Sequence, residues 1–125
     1  MNVQSPVRVP VTPDPPRSIS LRIAFLALWF VDMIAATLFF VLPNATELNP
    51  VTVYFYELFE LPGVVLAAGL YAAAVIAIGH VLSDPTDNRF LAVVVAVYVA
   101  IVGNNVVLLA FGRAPLVELF IAMGL

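Results

Sequence analysis

Long apolar runs separated by short polar segments are the main pattern of this chain. Three runs, at residues 21–42, 62–82 and 90–112, reach the length of about 20 residues that an α-helix needs to cross a bilayer. Asp32 interrupts the first run at a cost of about 3 kcal/mol, which is less than the summed gain from leucine, isoleucine, phenylalanine and valine at roughly 0.3–0.6 kcal/mol each. The pattern predicts three transmembrane helices.

A cleaved signal peptide is the alternative interpretation of the first run, which follows a basic flank. Its apolar part is longer than such a peptide needs, and no small-x-small cleavage motif follows, so we favour an uncleaved anchor. Residues 1–18 are rich in proline and lack a helical period, which predicts a disordered tail, with an interaction arm as the alternative. Residues 19–125 then form a single transmembrane domain.

Two shorter segments complete the predicted fold. Asn49 followed by Pro50 is typical of a helix start, and aromatic residues at helical spacing up to residue 60 predict a short helix in the membrane interface. Residues 115–125 are apolar but too short to cross, so they form either a half-embedded helix or a docking surface. The expected fold is all-α, with three transmembrane helices, an interfacial helix between the first two and a short apolar C-terminal helix.

The distribution of arginine predicts the orientation. The five cations of the chain are Arg8, Arg17, Arg22, Arg89 and Arg113, and there is no lysine. Arg8 and Arg17 precede the first span, Arg22 lies at its start, and Arg89 precedes the third span. The segment between the first and second spans has no cation, and its charged residues are all glutamates. Because cytoplasmic segments carry an excess of cations, we expect the N-terminus inside the cell membrane and the C-terminus outside, with Arg113 as the exception.

Composition narrows the possible functions. The chain is 63% hydrophobic and 10% charged, against about 45–50% and 25% in soluble domains, so the lipid bilayer is the expected surrounding. A net charge of −3 argues against nucleic acid as a partner. There is no cysteine, and His80 is the single histidine; we expect it to pair with a loop carboxylate. The sequence predicts no metal, no cofactor and, without a nucleophile–base pair, no enzyme.

Small residues at four-residue spacing indicate where helices pack, since membrane helices associate through close contact. Such stripes occur at Gly69, Ala73 and Ala77 in the second span, and at Ala92, Ala96 and Ala100 in the third. We predict that the helices meet along them, although alanine-rich spans also produce such stripes by chance.

Helix rise places a polar layer near the middle of the predicted spans, formed by Asp32, Tyr71, Asn104 and Asn105. A carboxylate facing lipid is costly, so it should face protein or water or be protonated. We predict a hydrogen bond from Asp32 to Tyr71 or Asn104. A structural clasp is the favoured role of this layer, and a proton or cation relay is the alternative.

The segments Asp-Met-Ile-Ala-Ala-Thr at 32–37 and Glu-Leu-Asn-Pro at 47–50 resemble a family of small uncharacterised prokaryotic membrane proteins common in haloarchaea. Its distinctive positions here are Asp32, Thr37, Glu47, Asn49 and Pro50. The resemblance implies a three-span fold and a halophilic archaeal source, but no activity, because the family is of unknown function. A basic residue frequent early in that family's second span is absent from residues 62–82.

Two functions follow as expectations. The first is a non-catalytic membrane subunit that packs on itself, as a homo-oligomer, or on a larger membrane protein complex through its small-residue stripes. The alternative is an oligomeric ion or proton channel or transporter component that uses Asp32.

Overall fold

Five α-helices make up the described part of the chain, which contains no β-strand. The structure is a computed structural model that describes residues 14–42, 47 and 49–124. The helices are α1 (Ile19–Val41), α2 (Pro50–Phe59), α3 (Leu61–Val81), α4 (Thr86–Phe111) and α5 (Pro115–Ala122). Helices α1, α3 and α4 are long and apolar enough to cross a membrane. An all-helical fold with three helices of spanning length is therefore confirmed.

The start of α1 is held in the bundle by the residues just before it. The Ser18 hydroxyl accepts the Leu21 N–H at 3.2 Å as an N-cap, and the Ser18 N–H donates to the Asn88 side chain at 3.1 Å. Pro16 is buried. Of the predicted tail, residues 1–13 lie outside the described residues, while its last residues pack against the bundle.

Helices α1 and α4 run parallel and form the largest helix–helix contact. Their contacts stay in register along the length of both helices, at Ser18–Asn88, Phe25–Tyr98 and Asp32–Asn105. Helix α3 runs in the opposite direction, and the Trp29 indole N–H of α1 donates to the Ala68 carbonyl of α3 at 2.8 Å. The three long helices thus alternate in direction along the chain, as consecutive spans must.

Helix α4 begins at Thr86 rather than at residue 90 as predicted. The Asp87 N–H donates to the Ser83 carbonyl at 3.1 Å, and the Asp87 carboxylate accepts the Asn88 N–H at 2.7 Å. A carboxylate is favourable in a first turn because it faces the positive end of the helix dipole. The sequence pattern missed this turn because its residues are polar.

The predicted start of α2 is confirmed. The Asn49 side chain accepts the N–H groups of Val51 at 2.9 Å and Thr52 at 3.4 Å. Side-chain capping of this kind satisfies backbone donors that the first turn of a helix leaves free.

Helices α2 and α3 form a hairpin that reverses at Glu60. Glu60 adopts a φ of 60°, a value unusual for a residue other than glycine. Gly63 lies directly against the backbone of α2, where an added Cβ would overlap the Phe55 carbonyl. The start of α2 therefore reaches Tyr71, in the middle of α3. The predicted interfacial position of α2 is not confirmed, since α2 packs along the first half of α3.

A candidate polar site inside the bundle

A cavity of about 330 Å³ lies between α1, α3, α4 and the start of α2. Its apolar walls include Val64, Val97 and Ile101. Its polar walls are formed by Asp32, Glu47, Asn49, Thr52, Tyr71, Tyr98 and Asn105. Asp32 is near the middle of α1 and Tyr71 is at the middle of α3, so the polar groups gather at mid-height of the bundle.

Asp32 is held by Asn105. The Asn105 side-chain amide donates to one Asp32 carboxylate oxygen at 2.9 Å. The predicted partners, Tyr71 and Asn104, are therefore wrong. Successive residues on an α-helix point about 100° apart, so only one of the two neighbouring asparagines can face α1, and the register of α4 selects Asn105.

Asn104 has a different role, although it is also buried. Its side-chain oxygen accepts the Leu116 N–H at 2.8 Å. Leu116 lies in the first turn of α5, whose own N-cap residue, Ala114, makes no side-chain cap. Asn104 of α4 therefore provides the hydrogen-bond acceptor that the N-cap residue of α5 lacks. This bond links the start of α5 to α4.

Asn49 connects α2 to α3 at the cavity wall. Its amide group and the Tyr71 hydroxyl lie 3.1–3.2 Å apart, and the Asn49 N–H donates to Glu47 Oε1 at 2.9 Å. The sequence predicted Tyr71 in the polar layer, Asn49 as the N-cap of an interfacial helix and Glu47 in the segment between the first and second spans. The structure instead brings Glu47 and Asn49 to the same cavity as Asp32.

The structure brings together some, but not all, of the residues on which the family resemblance rests. Asp32, Glu47 and Asn49 line the cavity, while Pro50 lines a neighbouring cavity of about 470 Å³ that shares Asn49 and Tyr71 with the first. Thr37 is separate, because its hydroxyl donates to the Met33 carbonyl at 3.0 Å within α1.

Tyr98 and Thr52 are cavity residues outside the predicted polar layer. Tyr98 lies seven residues before Asn105, two helical turns along the same face of α4, so helical spacing was the signal that identifies it. Its ring meets the Phe25 ring edge-on, with centroids 5.4 Å apart. Thr52 is 6% exposed, and only the packing of α2 against the bundle reveals its position.

The stripes of small residues do not lie at the contacts between the helices of this chain, where they were predicted. All six residues are exposed in the chain: Gly69, Ala73, Ala77, Ala92, Ala96 and Ala100. The buried residues of α3 are Gly63, Val64, Ala67 and Gly79. The helices of one chain therefore do not meet along the stripes, because the contacts of α3 with α1 and α2 rotate that face outward. A contact with another chain along them stays a prediction.

Two further polar contacts lie towards opposite ends of the bundle. Arg113 donates to Glu118 through Nε at 3.2 Å and through a terminal nitrogen at 3.0 Å, and this hydrogen-bonded guanidinium lowers the pKa of Glu118. His80 Nδ1 lies 2.8 Å from the Ile76 carbonyl, one turn earlier in α3. The expected pairing of His80 with a loop carboxylate is therefore wrong.

No protein-family model matches this chain, and neither a curated protein nor a solved structure is similar enough to match. The functional argument therefore rests on the geometry of the polar cavity.

Proposed function

We propose that this protein is a non-catalytic component of a cation or proton channel or transporter, with Asp32 as its central ion-binding residue. The observation that carries the proposal is the cavity that Asp32 shares with Glu47. None of the described residues that line this cavity has a positive charge. Two carboxyl groups thus line one partly open cavity in a bundle with three helices of spanning length.

The cost of burying charge makes this arrangement informative. An isolated carboxylate in a low-dielectric interior loses several kcal/mol of solvation, which a neutral amide does not return in full. Asp32 has a hydrogen bond from Asn105, but Asn105 brings no charge. A bound cation, a proton or water must supply the rest, and intramembrane acidic residues with such requirements typically mark ion pathways.

The position of α2 supports the same function. We infer that α2 starts at mid-depth in the membrane and runs outward to the reversal at Glu60, since Asn49 meets Tyr71 at the centre of α3. The non-helical backbone at residues 47 and 49 then lies beside the cavity. Irregular backbone at membrane depth is tolerated where it lines a cavity. The positive N-terminal end of α2 faces this cavity and stabilises the negative charge of a carboxylate there.

The proposed location is the cell membrane, with the N-terminus inside and the C-terminus outside. The bond between Ser18 and Asn88 brings the starts of α1 and α4 to the same end, and Arg17, Arg22 and Arg89 lie at that end. This clustering supports the orientation expected from the excess of cations on the cytoplasmic side.

A second function, a subunit that assembles through its surface, is favoured by one observation. The stripes on α3 and α4 are exposed and small, which is the surface that membrane helices use for close association. We propose homo-oligomers or association with a larger membrane protein complex through this surface, either as the sole function or as the oligomeric form of the ion-conducting protein.

Flux through vesicles tests the proposal. The purified protein is reconstituted, proton and monovalent-cation fluxes are measured, and the assembly state is read in mild detergent. We expect Asp32→Asn to abolish flux while assembly is retained. Glu57→Gln, which changes an exposed carboxylate on α2, is the matched control and should conduct normally.

Two results would contradict the ion-conducting function. Flux equal to that of the unmodified protein in Asp32→Asn would show that this carboxylate carries no ion. Absence of flux in every form, with loss of the complex in Asp32→Asn, would favour the assembling subunit with Asp32 as a structural clasp.

A further inference from the structure

We propose that the ligand of the central cavity is a small organic ammonium cation, bound with its charged group at Asp32 and its apolar part against α4. This inference rests on the proposed cation-binding function and narrows the class of ligand. It is carried by the size of the cavity, by its aromatic walls and by its apolar surface.

The size of the cavity favours a molecule over a bare ion. Its volume of about 330 Å³ falls at the lower end of the roughly 300–1,000 Å³ typical of small-molecule sites. Because one water molecule occupies about 30 Å³ in the liquid, the space greatly exceeds that of a dehydrated alkali ion. An amine with a few carbon atoms fits without rearrangement of the bundle.

The polar groups of the cavity match an ammonium group. Carboxylates provide its charge-assisted hydrogen bonds, and the side chain of Asp32 is oriented for this by Asn105. Tyr71 and Tyr98 also line the cavity, and a cation near the face of such a ring gains about 0.5–2 kcal/mol. The contact of Tyr98 with Phe25 holds one of these rings in place.

The apolar walls distinguish an organic cation from a metal ion. Val64, Val97 and Ile101 form part of the lining, and such side chains exclude water but offer no ligand to a metal. Calcium takes six to eight oxygen ligands and prefers several carboxylates, and the part of the chain that the structure describes contains no cluster of three or more histidine, cysteine, aspartate or glutamate residues that could hold a metal ion. Methyl or methylene groups of an amine, in contrast, gain free energy when these walls cover them.

Trp29 provides a built-in reporter of binding. It is the single tryptophan of the chain, and its indole N–H bonds to the carbonyl of Ala68, a residue that lines the cavity. Trp29 fluorescence of the full chain in detergent is titrated with butylammonium and tetramethylammonium, and separately with sodium, potassium and neutral butanol, at constant ionic strength.

We expect a saturable change with at least one of the two ammonium ions and none with butanol. Asp32→Asn should weaken this binding by about tenfold or more, as expected for loss of a charge-assisted contact. Val97→Phe enlarges a side chain of the cavity lining and leaves both carboxyl groups unchanged. It should also weaken binding, and it keeps the test valid if Asp32→Asn does not fold. Glu57→Gln should bind as the unmodified protein does.

The outcomes separate the two proposals. Saturable binding of sodium or potassium without binding of either ammonium ion would overturn the ligand class and leave the cation-binding function in place. Binding of butanol as tight as that of butylammonium would show that the cavity does not select charge and would overturn the inference. Absence of any binding, together with absence of flux in vesicles, would overturn both.

Discussion

Asp32 and Asn105 show what a sequence predicts about a single residue and what it does not. The apolar surroundings of Asp32 in the chain were sufficient to predict that its carboxyl group is paired inside the protein. The partner could not be predicted, because Asn104 and Asn105 differ by one residue, and only the rotation of α4 about its axis decides which one faces α1. This rotation depends on contacts along the full length of both helices, such as Phe25 with Tyr98.

A double-mutant cycle tests this pairing. For Asp32→Leu combined with Asn105→Leu, we expect a coupling energy of about 0.6–2 kcal/mol, the range of interhelical hydrogen bonds in membrane proteins. The free energy of unfolding is measured for each variant in mixed micelles. The cycle of Asp32→Leu with Asn104→Leu is the control and should be additive, since Asn104 bonds to Leu116. Equal coupling in both cycles would contradict the observed register.

The helices themselves differ in how far local sequence determines them. The three long helices follow from hydrophobic runs of sufficient length, and the start of α2 follows from the capping chemistry of Asn49 and Pro50. The direction of α2 does not follow, because it depends on the reversal at Glu60 and on the close approach at Gly63. The helical spacing of the aromatic residues in α2 is equally consistent with a helix that lies in the membrane interface and with one that packs on another helix.

Two glycines of α3 allow a matched test of the hairpin. In Gly63→Ala the new methyl group would overlap the Phe55 carbonyl, and we expect a loss of about 1–3 kcal/mol of stability, typical of overpacking. Gly69→Ala meets no atom within 4 Å and should be neutral or stabilising by up to about 1 kcal/mol, because alanine favours the helix. Unfolding in mixed micelles measures both. A Gly63→Ala protein as stable as Gly69→Ala would exclude the close contact between α2 and α3.

At the scale of the whole molecule, the informative feature is the convergence of distant residues on one cavity. Asp32 lies in α1 and Asn105 lies in α4. Glu47 and Asn49 lie just before the first residue of α2. Each of these polar residues is visible in the sequence, but nothing local indicated that Glu47 and Asn49 lie beside the same cavity as Asp32. The stripes of small residues are the opposite case. Their spacing was apparent in the sequence and predicted contacts between the helices, but these residues are exposed in the folded chain.

A membrane-embedded, cation-accessible cavity is the central claim, and site-directed labelling tests it most directly. The chain has no cysteine, so single cysteines can be introduced without further changes. Ile101 lines the cavity, whereas Val99, two residues earlier on α4, is 55% exposed on the outer face of the bundle. The two positions therefore compare the cavity with the lipid at nearly the same depth.

The protein in closed vesicles is treated with a membrane-impermeant, positively charged thiol reagent, and the labelled fraction is measured by mass spectrometry. We expect Ile101→Cys to react and Val99→Cys to remain unmodified, because reaction requires a thiolate in contact with water. Labelling of Val99→Cys as fast as Ile101→Cys would show that α4 is surrounded by water, and an unreactive Ile101→Cys would show that no cation reaches the cavity.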